Sequence, residues 1–203
     1  MRLLVIAALL AGTALPAHGQ TRLHADGAIG VAGDPQSPTP VRLGGTTWSG
    51  SLGVGADVSR RLAVEVEAAF TGNIDADPYQ YKPSLDRLVH VETRGRRTFL
   101  SLLVKARAGV VEPMVGLGYV RSTVRSHATF TDSGTDYFDS TRAAHGIALV
   151  GGLDVAAPVS PRLAIVPTFR LYVVNRGHAP AFGDIASAGP VVVQAGLGVR
   201  VHF

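Results

Sequence analysis

Ten charged residues of this sequence fall on alternate positions of otherwise bland segments. The acids are Asp26, Asp57, Glu65, Glu67, Glu112 and Asp154; the bases are Lys105, Arg107, Arg170 and Arg200. Carboxylates and cations in such near balance can pair and brace a structure, or line a path for ions. Spacing limits which of them can meet. Glu65 and Glu67 are two apart, as are Lys105 and Arg107, so each couple points to one side of an extended chain. If Gly109 and Val110 form a two-residue turn, Arg107 lies opposite Glu112, and a neighbouring strand can bring Glu65 or Glu67 to Lys105.

Other chemistries find less support. The seven histidines are His18, His24, His90, His127, His145, His178 and His202, and none pairs with a carboxylate in zinc-site order. No G-x-S-x-G nucleophile motif is present, so no catalytic residue is assigned. The stretch TDSGTDYFDS holds Asp132, Asp136 and Asp139 without a calcium-loop pattern, which reads as a loop and assigns no metal. There is no cysteine, hence no disulfide and no thiolate site. Nothing calls for a cofactor. Tyr79, Tyr81, Arg87, His90, Arg94, Arg96 and Arg97 make a basic and aromatic cluster that either contacts phosphates or keeps a loop in water.

The elements that position the ten charges follow from a period of two. Residues 22–32 set Leu23, Ala25, Gly27, Ile29 and Val31 against His24, Asp26, Ala28 and Gly30. The rhythm returns at 46–58, 62–71, 98–108, 111–124, 143–156, 162–175 and 189–203, giving eight strands. Connections at 33–45, 72–97, 126–141 and 176–188 are long and polar, while those at 59–61, 109–110 and 157–160 are tight. An up-and-down meander of this kind gathers every long loop at one end. The segments around Ser59-Arg61-Leu62 and Ser160-Arg162-Leu163 also echo each other, as two hairpins solving one turn problem.

Composition bounds the class. The chain has 203 residues, 46% of them hydrophobic and only 17% charged, which suits one domain of unusual apolarity. A net charge of +4 is too small and scattered to indicate nucleic acid. At the N-terminus, Arg2, the apolar run Leu3 to Ala11 and Ala17-His18-Gly19 have the form of an export signal, with cleavage expected after Gly19 and a start at Gln20. No window of 18 apolar residues makes a membrane-crossing helix.

A soluble barrel would bury the apolar parity and wet the other. A membrane barrel reverses this. The second arrangement fits better, because the other parity is mostly glycine, alanine and serine with charges, suited to a crowded lumen. Trp48, Phe70 and Tyr119 cluster on the apolar parity near the long-loop end, with Phe203 at the opposite end, as interfacial girdles do. In the stretch 189–203, Val191, Val193, Ala195, Leu197, Val199, Val201 and Phe203 form an unbroken apolar row, opposite Arg200 and His202.

On strand count, loop alternation, signal segment and terminal stretch, the mature chain resembles the small outer-membrane β-barrels of Gram-negative bacteria, of the OmpA/OmpX type. The resemblance implies an all-β fold: an eight-stranded antiparallel up-and-down transmembrane β-barrel over residues 20–203, after a signal peptide at 1–19. Val199, Val201 and Phe203, behind Gly196 and Gly198, resemble the signal that the barrel-assembly machinery reads. It further implies an outer-membrane location, contact with outer-membrane lipids and lipopolysaccharide, a monomer, and a non-enzymatic structural or surface role with a salt-bridged lumen. Two alternatives stay open: a narrow channel for ions or small solutes, and a lipid A-modifying enzyme. For the second, Ser126, His127 and His145 lie near the long-loop end without the family's histidine-x-serine arrangement.

Overall fold

Alternation commits each segment to two different surroundings, and only a closed sheet gives every strand both without leaving an edge. The computed structural model describes residues 22–33, 46–75, 79–81, 87–175 and 191–203. The signal segment expected at 1–19, the start at Gln20, and the loops expected at 34–45 and 176–188 lie outside the described residues. Among the described residues eleven strands appear in chain order: β1 (Leu23–Gly33), β2 (Thr46–Asp57), β3 (Leu62–Thr71), β4 (Ile74–Asp75), β5 (Tyr79–Tyr81), β6 (Val89–Ala106), β7 (Val111–Phe130), β8 (Asp136–Val155), β9 (Ala157–Ser160), β10 (Leu163–Asn175) and β11 (Val191–His202).

Eight of them, β1, β2, β3, β6, β7, β8, β10 and β11, are the staves of an antiparallel barrel that closes through pairing of β1 with β11. The apolar parity faces outward on all of them. Ile29 is 78% exposed and Leu117 is 62% exposed, whereas Phe99 and Lys105 on the opposite parity are fully buried. The tight turns lie at one end. Gly109 takes φ 70°, as the two-residue turn at 109–110 demands. At the other two short connections a serine caps the turn: Ser59 Oγ accepts the Arg61 N–H at 3.2 Å, and Ser160 Oγ accepts the Arg162 N–H at 3.4 Å. The echo between these two stretches is thus one hydrogen-bonding device used twice.

Three strand boundaries differ from the sequence reading. The strand expected to begin at Thr98 begins at Val89, the one expected to end near Val124 runs to Phe130, and the one expected from Ala143 starts at Asp136. The supposed loop 126–141 is therefore mostly hairpin, with its turn at 131–135. Polar residues on both faces hid the alternation, but a small buried cluster of Val89, Val91 and Ala128, packed by Phe130 and Phe138, holds these arms together. The supposed loop 72–97 likewise contributes β4 and β5, both paired to the arm of β6. The turn expected at 157–160 is β9, which pairs with Leu163, Ala164 and Ile165, and the reversal falls at 161–162.

Candidate functional site

The inward residues form two layers. Toward the tight-turn end lies a polar layer in which each charge finds partners from other staves. Arg200 donates from Nε to Asp26 Oδ1 at 2.8 Å, from Nη1 to Glu112 Oε2 at 2.6 Å, and from Nη2 to Asp26 Oδ2 at 3.0 Å. Lys105 Nζ sits 2.5 Å from Glu65, 2.8 Å from Asp154 and 3.2 Å from Asp26. Arg170 bonds Glu67 Oε2 at 3.0 Å and Asp154 Oδ1 at 2.6 Å. At the rim, Arg107 holds Asp57 at 2.6 Å and approaches Glu112 at 3.2 Å. All ten charged residues read from the parity pattern lie in this one layer.

Two members had no signal as chemistry in the sequence. His24, fully buried, places Nε2 3.2 Å from Glu65 Oε2. Tyr172 donates its hydroxyl to Glu67 Oε1 at 3.0 Å and lies 3.2 Å from Gln194 Oε1. The cation-binding potential of His24, Asp26 and Glu65, whose ligand atoms lie within 4.8 Å of one another, is taken up by Lys105, since its ammonium already contacts both carboxylates. What this layer can do is fix eight staves in register. Charges buried this deeply must be paired, and removing one partner leaves the other stranded.

Beyond it, toward the long arms, the lumen turns apolar. Phe99, Leu103, Met114, Val120, Val150, Tyr172 and Val192 pack in one cluster with Ala32, Ala69 and Ala148. The rings of Phe99 and Tyr172 stack with centroids 4.1 Å apart. The inward parity, expected to be mostly glycine, alanine and serine with charges, here also carries large apolar side chains. An eight-stave barrel leaves an interior that side chains fill, and large apolar groups fill its middle, with Thr71, Thr93 and Arg97 buried further toward the arms. A cavity bounded by Asp26, Glu67, Asp154, Thr168 and Arg170 measures only about 10 Å³, the limit for a single water.

The outer wall carries the three aromatics singled out in sequence. Trp48 is 63% exposed, Phe70 lies at right angles to it with centroids 5.5 Å apart, and Tyr119 stacks on His145 while their hydroxyl and Nδ1 meet. Val199, Val201 and Phe203 also face outward.

The basic cluster of the polar segment separates. Arg97 turns inward and is buried. Arg87 binds Asp132 across the arms, from Nε at 2.8 Å and from Nη2 at 2.5 Å, and its guanidinium lies 4.0 Å over the Phe130 ring. That hydrogen bond holds the Asp132 carboxyl below its ordinary range. Arg94 is 3.3 Å from Asp75, and Arg125 is 2.6 Å from Asp139. His90 lies 3.8 Å from Glu92 and His127 lies 3.4 Å from Asp136. Arg96 alone of the cluster faces outward without an ion pair among the described residues. The side chains of Tyr79 and Tyr81 lie outside the described residues.

No protein-family model matches the sequence, and no curated protein matches it. Solved structures do. A major outer membrane protein from Thermus thermophilus aligns over 91% of this chain and 100% of its own, with a TM-score of 0.58 at 16% identity. OprG, an outer membrane protein from Pseudomonas aeruginosa, aligns over 93% of this chain and 100% of its own, with a TM-score of 0.52 at 13% identity. Closed by its terminal staves, apolar outside and filled within, the chain has the fold of the small eight-stranded outer-membrane β-barrels.

Proposed function

We propose that this chain is a non-enzymatic outer-membrane barrel, closed to solutes, whose role is structural and in contacts at the cell surface. The observation that carries the reading is the doubly filled lumen: a buried ion-pair layer capped by the stacked Phe99 and Tyr172. Supporting the location are an outer wall on which Leu52, Val54, Leu102, Leu117, Leu149 and Leu197 are exposed, and a fold shared with outer-membrane proteins. So large an apolar surface has no place in water. On this reading the segment 1–19 is removed on export, the barrel stands as a monomer among outer-membrane lipids, and Val199, Val201 and Phe203 are the residues that the assembly machinery reads.

Planar-bilayer recording tests the closed lumen. The purified barrel should give no conductance steps at moderate voltage, because an ion path would have to part both layers. Regular single-channel steps would overturn the proposal in favour of a narrow channel. Mass spectra of lipid A from cells with and without the protein should be the same, and a shifted acyl pattern would reinstate an enzyme.

A further inference from the structure

On the outer wall, the register across β3, β6, β7 and β8 aligns Phe70 with Thr98, Thr98 with Arg121, and Arg121 with His145. This row lies one step beyond Leu100 and Tyr119, where the apolar wall ends. One further step out, Arg96 pairs with Thr123. Arg96 and Arg121 are therefore diagonal neighbours, with backbones about 7–8 Å apart and side chains on the same face. Both are exposed, and among the described residues neither has a carboxylate partner, although Arg87, Arg94 and Arg125 nearby all do. Two unpaired guanidiniums side by side repel, which is a configuration that an anion relieves.

The two arginines line a groove of about 400 Å³ whose other wall is Trp48 and Phe70. Glycines shape that wall. A methyl group on Gly50 would stand 2.5 Å from the Phe70 ring, and one on Gly72 would overlap the Trp48 indole nitrogen. Each aromatic thus sets the edge of its ring against a residue without a side chain, in space that a Cβ would occupy. A second hollow of about 510 Å³ adjoins the first, sharing Arg96, Asn73 and Thr123. The groove is apolar at its inner edge and cationic in its middle; further out, Asn73 and Thr123 lead into the second hollow, lined by Glu92, Arg94, Arg125, His127 and Thr141.

We propose that Arg96 and Arg121, with Trp48 and Phe70, form a binding site for the phosphorylated sugar headgroup of a membrane glycolipid. The gradient fits an amphiphile whose phosphate sits at the boundary of its apolar part. The size exceeds what a lone phosphate or phosphoglycerol fills, and the outer polar lining suits sugar hydroxyls. This rests on the outer-membrane reading, because only there does the row next to the apolar wall meet lipid headgroups.

The sole tryptophan of the chain, Trp48, is the probe. The barrel folded in detergent micelles is titrated with diphosphoryl lipid A, with its dephosphorylated form, with phosphatidylglycerol and with inorganic phosphate, while Trp48 emission is followed. Saturable binding of diphosphoryl lipid A is expected. R96Q or R121Q should weaken it about tenfold each, the scale of a lost charge-assisted contact, with unheated gel mobility unchanged. Loss of the phosphates should weaken it similarly. Equal affinity of the R96Q/R121Q double variant, or equal binding of phosphatidylglycerol, would overturn the proposal, as would saturation by inorganic phosphate at the same concentration. A chain that will not enter micelles as a heat-modifiable barrel fails at the earlier step, and so identifies the outer-membrane reading as the fault.

Discussion

Arg200 and Asp26 are direct register partners across the seam between β11 and β1, and the guanidinium grips the carboxylate with two bonds, at 2.8 and 3.0 Å. The pair closes the barrel and feeds the charge layer at once, because the same arginine reaches Glu112 at 2.6 Å. Arg200→Ala leaves the buried Glu112 and Asp154, the latter 3.4 Å from Nη2, and the half-buried Asp26 short of a cation. A loss of about 3–5 kcal/mol is expected in urea unfolding followed by gel mobility. A change below about 1 kcal/mol would mean that water, rather than Arg200, solvates the layer.

Packing at the inner surface gives a second test. A Cβ on Gly116 would overlap the Leu102 carbonyl oxygen and come within 2.8 Å of Leu103 Cδ2. Since the obstacle is main chain, β6 and β7 would have to separate. Gly116→Ala should destabilise by about 1–3 kcal/mol, whereas Gly151→Ala, where nothing lies within 4 Å, should be nearly silent. Equal effects at the two positions would refute the steric account.

Gly72→Ala acts differently because what its methyl group meets is the edge of the Trp48 ring and Thr47 Oγ1, both side-chain atoms that can swing away. Stability should change by less than about 1 kcal/mol. The indole should lift off its seat, and the emission maximum of the only tryptophan should shift. An unaltered spectrum would show that the ring does not rest on Gly72.

The Arg87 clasp on Asp132 predicts a pH response of the long arms. The arginine lowers the carboxyl from its ordinary 3.8, so the folded arm binds a proton less readily than the free segment. The clasp is fully present above pH 3.8 and is lost as pH falls through the lowered value. Protection of the Gly134 amide, which bonds the Phe130 carbonyl at 2.8 Å, should stay flat from pH 7 to about 4.5 and fall in stronger acid. In Asp132→Asn the acid step should vanish. Persistence of the step in that variant would assign it to another group.

Strand parity was the most legible part of the sequence, because each stave separates two media along its whole length. Asp26, Glu65, Lys105 and Arg200 were placed inside by counting alone, and Arg107 opposite Glu112 followed from one turn length. The apolar middle of the lumen was harder to read. Phe99 and Leu103 stand on the same parity as Ser101 and Lys105, so the signal was in view, but an averaged face conceals a change of polarity along the barrel axis. The arms beyond Thr98 and Val124 were illegible for another reason. Out there the inward face of β6 is buried but mixes Val89 and Val91 with Thr93 and Arg97, and β8 is largely exposed on both faces, so pairing persists on backbone bonds and a three-residue cluster without writing a hydrophobic period. Of the groove residues, Arg96 was in view as part of the basic and aromatic cluster at 79–97, but Arg121 was not, since adjacency across β6 and β7 is a property of register.

The charge layer also dictates an order of events in assembly. Its partners are far apart in the chain: Asp26 and Arg200 by 174 positions, Glu67 and Arg170 by 103, Glu112 and Arg200 by 88. The β8–β10 hairpin can pair its own Asp154 and Arg170, but β2–β3 brings only Asp57, Glu65 and Glu67 and finds their cations on other staves, so a half-built sheet would carry naked ions into hydrocarbon. Insertion must therefore be concerted, with the first and last staves meeting before the interior leaves water.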